Sequence, residues 1–339
     1  MKFLGFNLNY FVLFIVASTV YKIACAQDPQ FSQFYANPMY LNPAFTGNTA
    51  QLRMASTYRN QWPSIPKGYV SYTAAIDYNL EKAKSGIGFL ATHDKAGNEG
   101  LKFTNLALLY STHVRLNRLT FLKGGVKFSY TNRGVNQSEL LFSDQIIRDG
   151  APFSIEEVGN SVNNFDFSAG LVLANTEKYW LGVSIDHINQ PRYSFLNTNS
   201  FLDIKTSVHG GYVFELNKED KVEKPTYIKA IVHYKSQGKW DQLDIGAYYE
   251  KNPIFYGMWY RGIPFFKKFE NEFPNNEALV LLFGVQANDL RIAYSYDATI
   301  SKLARYSGGA HEVSIVYEIA TIIKKRKNKR YFLAPCPKF

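Results

Sequence analysis

From about residue 49 to about residue 320 the chain is written in a two-residue period. Leu290, Ile292, Tyr294 and Tyr296 alternate with Arg291, Ala293, Ser295 and Asp297. Leu243, Ile245, Ala247 and Tyr249 do so against Gln242, Asp244, Gly246 and Tyr248, and Val313, Ile315, Tyr317 and Ile319 against Glu312, Ser314, Val316 and Glu318. A period of two gives a strand two unlike faces and is incompatible with a helix, where apolar positions recur roughly every three to four residues. Reading on this basis predicts about fourteen strands, with a range of 12 to 16, centred near residues 54, 74, 89, 107, 125, 168, 184, 210, 231, 245, 257, 282, 293 and 315. Most run to roughly ten residues, the length of a tilted membrane strand. The chain is therefore expected to be all-β, with no linker or domain boundary between these strands.

Alternation alone fits either a soluble sandwich with an apolar inner face or a membrane barrel with an apolar outer face. Connection lengths favour the barrel. The second, fourth and sixth connections are tight, near Glu81 to Lys84, Arg115 to Arg118 and Asn175 to Lys178. The fifth, seventh, eleventh and thirteenth are long: Thr131 to Val162, Asn189 to Asp203, Gly262 to Asn276 and Ala298 to Gly309. Short periplasmic turns alternating with long external loops are the habit of outer-membrane barrels. The eighth and ninth connections fit this less well, the ninth being the short "SQGK" from Ser236. The 24 Tyr and 26 Phe, with aromatics at 16%, supply girdles for two membrane interfaces. The phase of the ionisable residues agrees, since Asp166, Asp186, Lys229, Asp244, Arg291, Asp297, Glu312 and Glu318 fall on the inward face. Facing lipid, each would cost a few kcal/mol; with both signs mixed, they read as a salt-bridged wall.

Residues 1–26 read as a cleaved export signal, with Lys2, an apolar stretch from Leu8 to Val20, and Ala24 and Ala26 flanking the cleavage point before Gln27. Cys25 leaves with that signal, so Cys336 is the only mature cysteine, which excludes an internal disulfide, a zinc cluster and a CxxC pair. Setting aside Lys2, Lys22 and the six basic residues of "KKRKNKR" (Lys324, Lys325, Arg326, Lys327, Lys329 and Arg330) leaves only +2 of the net charge of +10. The excess belongs to residues 321–339, a basic periplasmic tail, and an exported chain with a neutral body has no nucleic acid to bind. The tail meets either phospholipid at the inner leaflet or an acidic periplasmic partner.

The segment 27–48 carries "DPQFSQFYANPMYLNPAFTG" (Asp28 to Gly47), nearly uncharged and without either period. Phe31, Phe34, Tyr35, Tyr40 and Phe45, with Met39 and Leu41, are too much apolar surface for a free tail, while Pro29, Pro38 and Pro43 keep it from becoming a strand or a long helix. It is expected to pack inside the barrel or at its periplasmic mouth, as a plug, a lumen filler or a docking element. Asn37 and Asn42, each before a proline, are expected to form turn hydrogen bonds.

These residues resemble the opening signature of the PorP/SprF family, outer-membrane proteins of the type IX secretion and gliding systems of Bacteroidota. The similarity continues through "YRNQWP" (Tyr58 to Pro63), "GIGFLATHDKAG" (Gly86 to Gly97), "KGGVKFSYTNRGVNQSELLFSDQI" (Lys123 to Ile146), "FDFSAGLVL" (Phe165 to Leu173) and the closing "PCPKF" (Pro335 to Phe339). The resemblance implies a non-catalytic barrel that works with the secretion translocon. It also implies a role in export or surface attachment of adhesin-like cargo bearing a C-terminal signal, and an association with periplasmic ring and peptidoglycan-linked lipoproteins. The alternative from the residues alone is a general or selective porin.

For contact with cargo, the longest loop, Thr131 to Val162, is the candidate, with Glu139, Leu140, Leu141, Phe142 and Asp144 mixing apolar and acidic groups. No catalytic, cofactor or metal site is predicted. His93 and Asp94 are adjacent, but His113, His187, His209, His233 and His311 are dispersed, without HExxH, GxSxG or metal-ligand spacing.

Overall fold

The computed structural model describes residues 28–319, apart from 67, 98–99, 137–142, 149–160, 196–199, 218–224, 269–273 and 302–303, together with 333–337. Fourteen antiparallel strands close into a barrel in which each pairs with its neighbours in sequence and β1 pairs with β14. They are β1 (Leu52–Gln61), β2 (Tyr69–Leu80), β3 (Ser85–Ala96), β4 (Leu101–Arg115), β5 (Thr120–Gly134), β6 (Ser161–Asn175) and β7 (Tyr179–Asp186), then β8 (Lys205–Asn217), β9 (Thr226–Gln237), β10 (Trp240–Lys251), β11 (Ile254–Lys268), β12 (Pro274–Ala287), β13 (Leu290–Thr299) and β14 (Ala310–Ile319). Every predicted strand centre falls inside one of them. The seam is continuous, running from Leu52 opposite Ile319 to Gln61 opposite Ala310, so no edge is left unpaired there.

The connections differ at the two ends as predicted, tight at 81–84, 116–119 and 176–178 and long at 135–160 and 187–204. The eleventh is a correction. There β11 runs on to Lys268 and β12 begins at Pro274, with register shifts after Arg261 and Ile263. The loop predicted from Gly262 to Asn276 is thus mostly strand, because a bulge breaks the alternation that marks a strand in sequence.

Outside, the wall presents Leu108, Val126, Phe167, Leu171, Met258, Leu281 and Phe283, all exposed, and side chains of this kind recur all round the barrel. An apolar surface of that extent belongs in lipid. Aromatic pairs such as Tyr58 with Tyr72, 5.1 Å between ring centroids, and Tyr256 with Phe283, 5.4 Å, stand on it. Inside, Asp166, Asp186, Lys229, Asp244, Asp297 and Glu312 are buried, as their phase predicts. No helix among the described residues is long and apolar enough to cross a membrane; this chain crosses with strands.

Candidate functional site: the occupied lumen

The segment from Asp28 to Asn48 touches strands on opposite sides of the barrel and so lies within it. At the long-loop end, the Asp28 carboxylate accepts from Lys205 Nζ (2.6 Å) and meets His187 Nε2 (2.9 Å), while Gln30 donates to Gln242 (2.6 Å) and Glu277 (3.3 Å). At the tight-turn end, Gly47 N–H donates to Asp77 (2.7 Å), and Asn79 donates to the Thr49 carbonyl (2.8 Å). The segment therefore runs the length of the lumen, farther than a cap on the periplasmic mouth requires.

Its conformation follows from its prolines and asparagines. Pro38 opens a single helical turn, α1 (Pro38–Leu41), where a missing N–H costs nothing. Asn42 ends it and starts a 3-10 turn, Pro43–Phe45, its side-chain oxygen accepting from Ala44 N–H at 2.9 Å. This is the turn bond expected of Asn42. Asn37 does not make its own: its amide is buried without a partner among the described residues.

Midway along, an ionic cluster grips the backbone. Glu312 accepts the main-chain N–H groups of Ser32 (2.7 Å) and Gln33 (2.9 Å). The Ser32 hydroxyl donates to Asp297 (2.5 Å) and accepts from Arg59 (2.7 Å) and Arg261 (2.9 Å). Arg59 also binds Asp297 (2.9 Å) and Glu312 (3.0 Å), and Arg261 binds Asp244 (2.8 Å) and Asp297 (2.9 Å). Deep burial of five charges is sustained only by such mutual pairing. Below the cluster, Tyr35 accepts the indole N–H of Trp180 at 2.9 Å, and Phe34 lies against His233 and Trp259. Phe45 covers His209 at 5.2 Å. Phe31 meets Tyr40 edge to face at 5.1 Å. Arg53 forks onto Asp77 with bonds of 2.9 and 2.8 Å.

Three glycines on inward positions make room. A Cβ at Gly86 would stand 2.4 Å from the Thr46 carbonyl oxygen, one at Gly125 2.4 Å from the Pro43 carbonyl, and one at Gly170 2.0 Å from Asn42 Oδ1. Nothing larger than hydrogen fits between wall and segment at these points.

Charge at the upper anchor is fixed by the same contacts. Burial opposes ionisation of Asp28, but His187 and Lys205 outweigh it and hold the carboxyl well below its ordinary range. Burial likewise lowers the His187 imidazole, yet Asp28 and Asp166 raise it to about 9, so the pair is ionic at neutral pH. Burial raises the Tyr35 phenol well above its ordinary value, leaving it neutral.

The far end of the chain joins in. Ala334 N–H donates to Asn48 Oδ1 at 2.8 Å, and Cys336 is buried beside the Asn48 amide. The pairing of Asn48 with a residue 286 positions away leaves no sequence signal. Of the other predicted residues, Asp144 falls in a short helix, Ser143–Ile147, while Glu139, Leu140, Leu141, Phe142, the basic run Lys324 to Arg330 and the export signal lie outside the described residues. His93 and Asp94 turn to different partners, Thr104 and Ser71. Among the described residues no group of three His, Cys, Asp or Glu could hold a metal ion. The sequence reading missed Ser32, Gln33, Arg59, Arg261 and the three glycines as contacts. Glycine at inward positions of β3, β5 and β6 was the available signal.

A closed antiparallel barrel with an apolar outer band and a charged interior defines an outer-membrane β-barrel protein. It shares that architecture with the CymD monoaromatic hydrocarbon channel (12% identity, 84% of this chain and 93% of that one, TM-score 0.46). Omp33 of Acinetobacter baumannii shares it too (6% identity, 81% and 100%, TM-score 0.44), as does the toluene transporter TodX of Pseudomonas putida (11% identity, 86% and 94%, TM-score 0.43). No curated protein matches the sequence. The chain belongs to the family of type IX secretion system membrane proteins PorP/SprF, whose model matches residues 23–317.

Proposed function

We propose that this protein is a non-catalytic outer-membrane component of the type IX machinery that assists export or surface attachment of proteins with a C-terminal secretion signal. The observation that carries this reading is the occupied lumen: a segment bonded to the wall from mouth to mouth suits a docking scaffold better than a conduit. Cargo or a surface adhesin engages from outside, and the periplasmic ring and peptidoglycan-linked lipoproteins engage from the periplasmic side. The test is affinity purification from mildly solubilised outer membranes through a tag in an external loop, with mass spectrometry of what accompanies the barrel. Recovery of a large secreted protein or of ring lipoproteins supports the role. Recovery of the barrel alone, with open-channel conductance in planar bilayers, would sink it in favour of a porin.

A further inference from the structure

Above the ionic cluster the lumen is not filled. A chamber of about 1070 Å³ lies between the start of the segment and wall residues of β1, β8 to β10 and β12 to β14, reaching Trp62 and Ser301 at the long-loop end. Its volume is at the upper end of the range for small-molecule pockets. We propose that this chamber binds a small organic anion, a carboxylate carried on an apolar body.

The reasoning rests on what each charge in the chamber already does. Arg59 is committed to Asp297 and Glu312, and Lys205 to Asp28 (2.6 Å) and Asp186 (3.4 Å). The acidic side chains are engaged as well: Asp28 and Asp297 in those pairs, Glu277 with Gln30 and at 3.7 Å from Arg261, and Asp241 in contacts of its own. Lys235, on β9, lines the same space with no salt bridge or hydrogen bond among the described residues, and the two carboxylates whose charge acts on it, Asp244 and Glu277, are already bound to Arg261 and Gln30. Every other described cation of the chamber has its carboxylate. A half-buried ammonium with no carboxylate of its own within salt-bridge reach leaves a demand for negative charge.

The surroundings specify the rest of the ligand. Phe31, Phe34, Leu41, Trp240 and Ile300 line the chamber with apolar surface, which suits an acyl chain or a ring. One free cation calls for one negative charge, and the wall amides are largely spent on one another, as in Gln30 with Gln242 and Gln242 with Asp244. A polyanion or a sugar would find few free partners. A monocarboxylate meets Lys235 with its charge and the apolar lining with its body.

The full-length protein in phosphatidylcholine nanodiscs would be titrated with octanoate, 1-octanol and octylammonium, reading tryptophan fluorescence and subtracting empty discs. Trp62 and Trp240 line the chamber and report directly. Saturable binding of octanoate, about tenfold or more tighter than octanol, with none for octylammonium, is the expected result. Lys235→Met should lose about tenfold in octanoate affinity, while Lys235→Arg keeps it. Equal binding of octanoate and octanol by the wild type overturns the proposal without need of any variant, as does a Lys235→Met protein of normal heat-modifiable mobility and unchanged affinity. N-acetylphenylalanine, run beside octanoate, separates the two sources of this chemistry: the tighter ligand assigns the site to a peptide terminus or to a free acyl chain.

Discussion

Gly124 and Gly125 are adjacent on β5 but face opposite ways, and alanine at each should give opposite results. At Gly124 an added Cβ meets Leu171 at 3.4 Å, an ordinary contact on the lipid side. At Gly125 it meets the Pro43 carbonyl at 2.4 Å and Ala44 N at 2.5 Å, both backbone atoms that cannot rotate away. Relief requires the 3-10 turn to retreat by about 1 Å. That retreat strains wall bonds such as Asn42 to the Val183 carbonyl (2.9 Å), Ser184 to the Leu41 carbonyl (3.2 Å) and Ser111 to the Thr46 carbonyl (2.7 Å). Overpacking costs about 1–3 kcal/mol and each weakened bond about 0.5–1.5 kcal/mol, so Gly125→Ala should destabilise by roughly 2–4 kcal/mol. Burial of Phe34, Tyr35, Met39, Leu41 and Phe45 at about 1.5–3 kcal/mol each is larger, so the segment stays in place and the lumen stays closed. Gly124→Ala should be neutral or slightly stabilising, since alanine holds a strand better than glycine. Denaturant unfolding in lipid vesicles, followed by tryptophan fluorescence, measures both. Equal stability of the two variants would refute the placement of the segment against β5.

Four further outcomes are expected. Tyr35→Phe leaves the Trp180 indole N–H without its acceptor and should cost about 1–3 kcal/mol in the same assay. Arg53→Ala strands the Asp77 carboxylate and should cost about 3–5 kcal/mol, with part recovered in the Arg53→Ala/Asp77→Ala double variant. The upper anchor should weaken at both pH extremes: the contribution of His187, raised to about 9, is complete below the ordinary imidazole value and lost as pH rises through 9. That of Asp28, whose carboxyl is held low, is present above the ordinary carboxylate value and lost in strong acid, so hydrogen-exchange protection of residues 28–34, corrected for intrinsic rates, should peak between. Finally, Asn48→Ala should expose Cys336, raising its rate of maleimide labelling by about tenfold over a protected wild type.

The wall was readable because its rule is local. Each strand carries its two faces in its own alternation, so Leu290 to Asp297 announces β13 without knowledge of any partner. Where the rule is interrupted, as at the bulge beside Gly262, the reading shortened a strand into a loop. The apolar residues of the 27–48 segment signalled that something must cover them, but what covers them is spread over the whole chain. Ser32 meets residues 265 and 280 positions away, and the glycine seats lie on three separate strands. Such partners are set by closure of the barrel, and no spacing in the sequence encodes them. Lys235 illustrates the limit: its alternation shows an inward face, and only the assembled lumen shows that its neighbours already have counterions.

The entry of the segment directly into β1 has a consequence for how the protein is made. Asp28 lies at one end of the lumen and Leu52, the first residue of β1, begins at the other, while the β1–β14 seam is the join between the two ends of the sheet. Once that seam has zipped, drawing the aromatic stretch lengthwise through a pore lined with paired charges would mean breaking those pairs one after another. The order of events that avoids this is a curling sheet that gathers its leading end before its margins meet. Biogenesis of this barrel is then a wrapping process, in which the amino-terminal peptide serves as the template on which the cylinder closes.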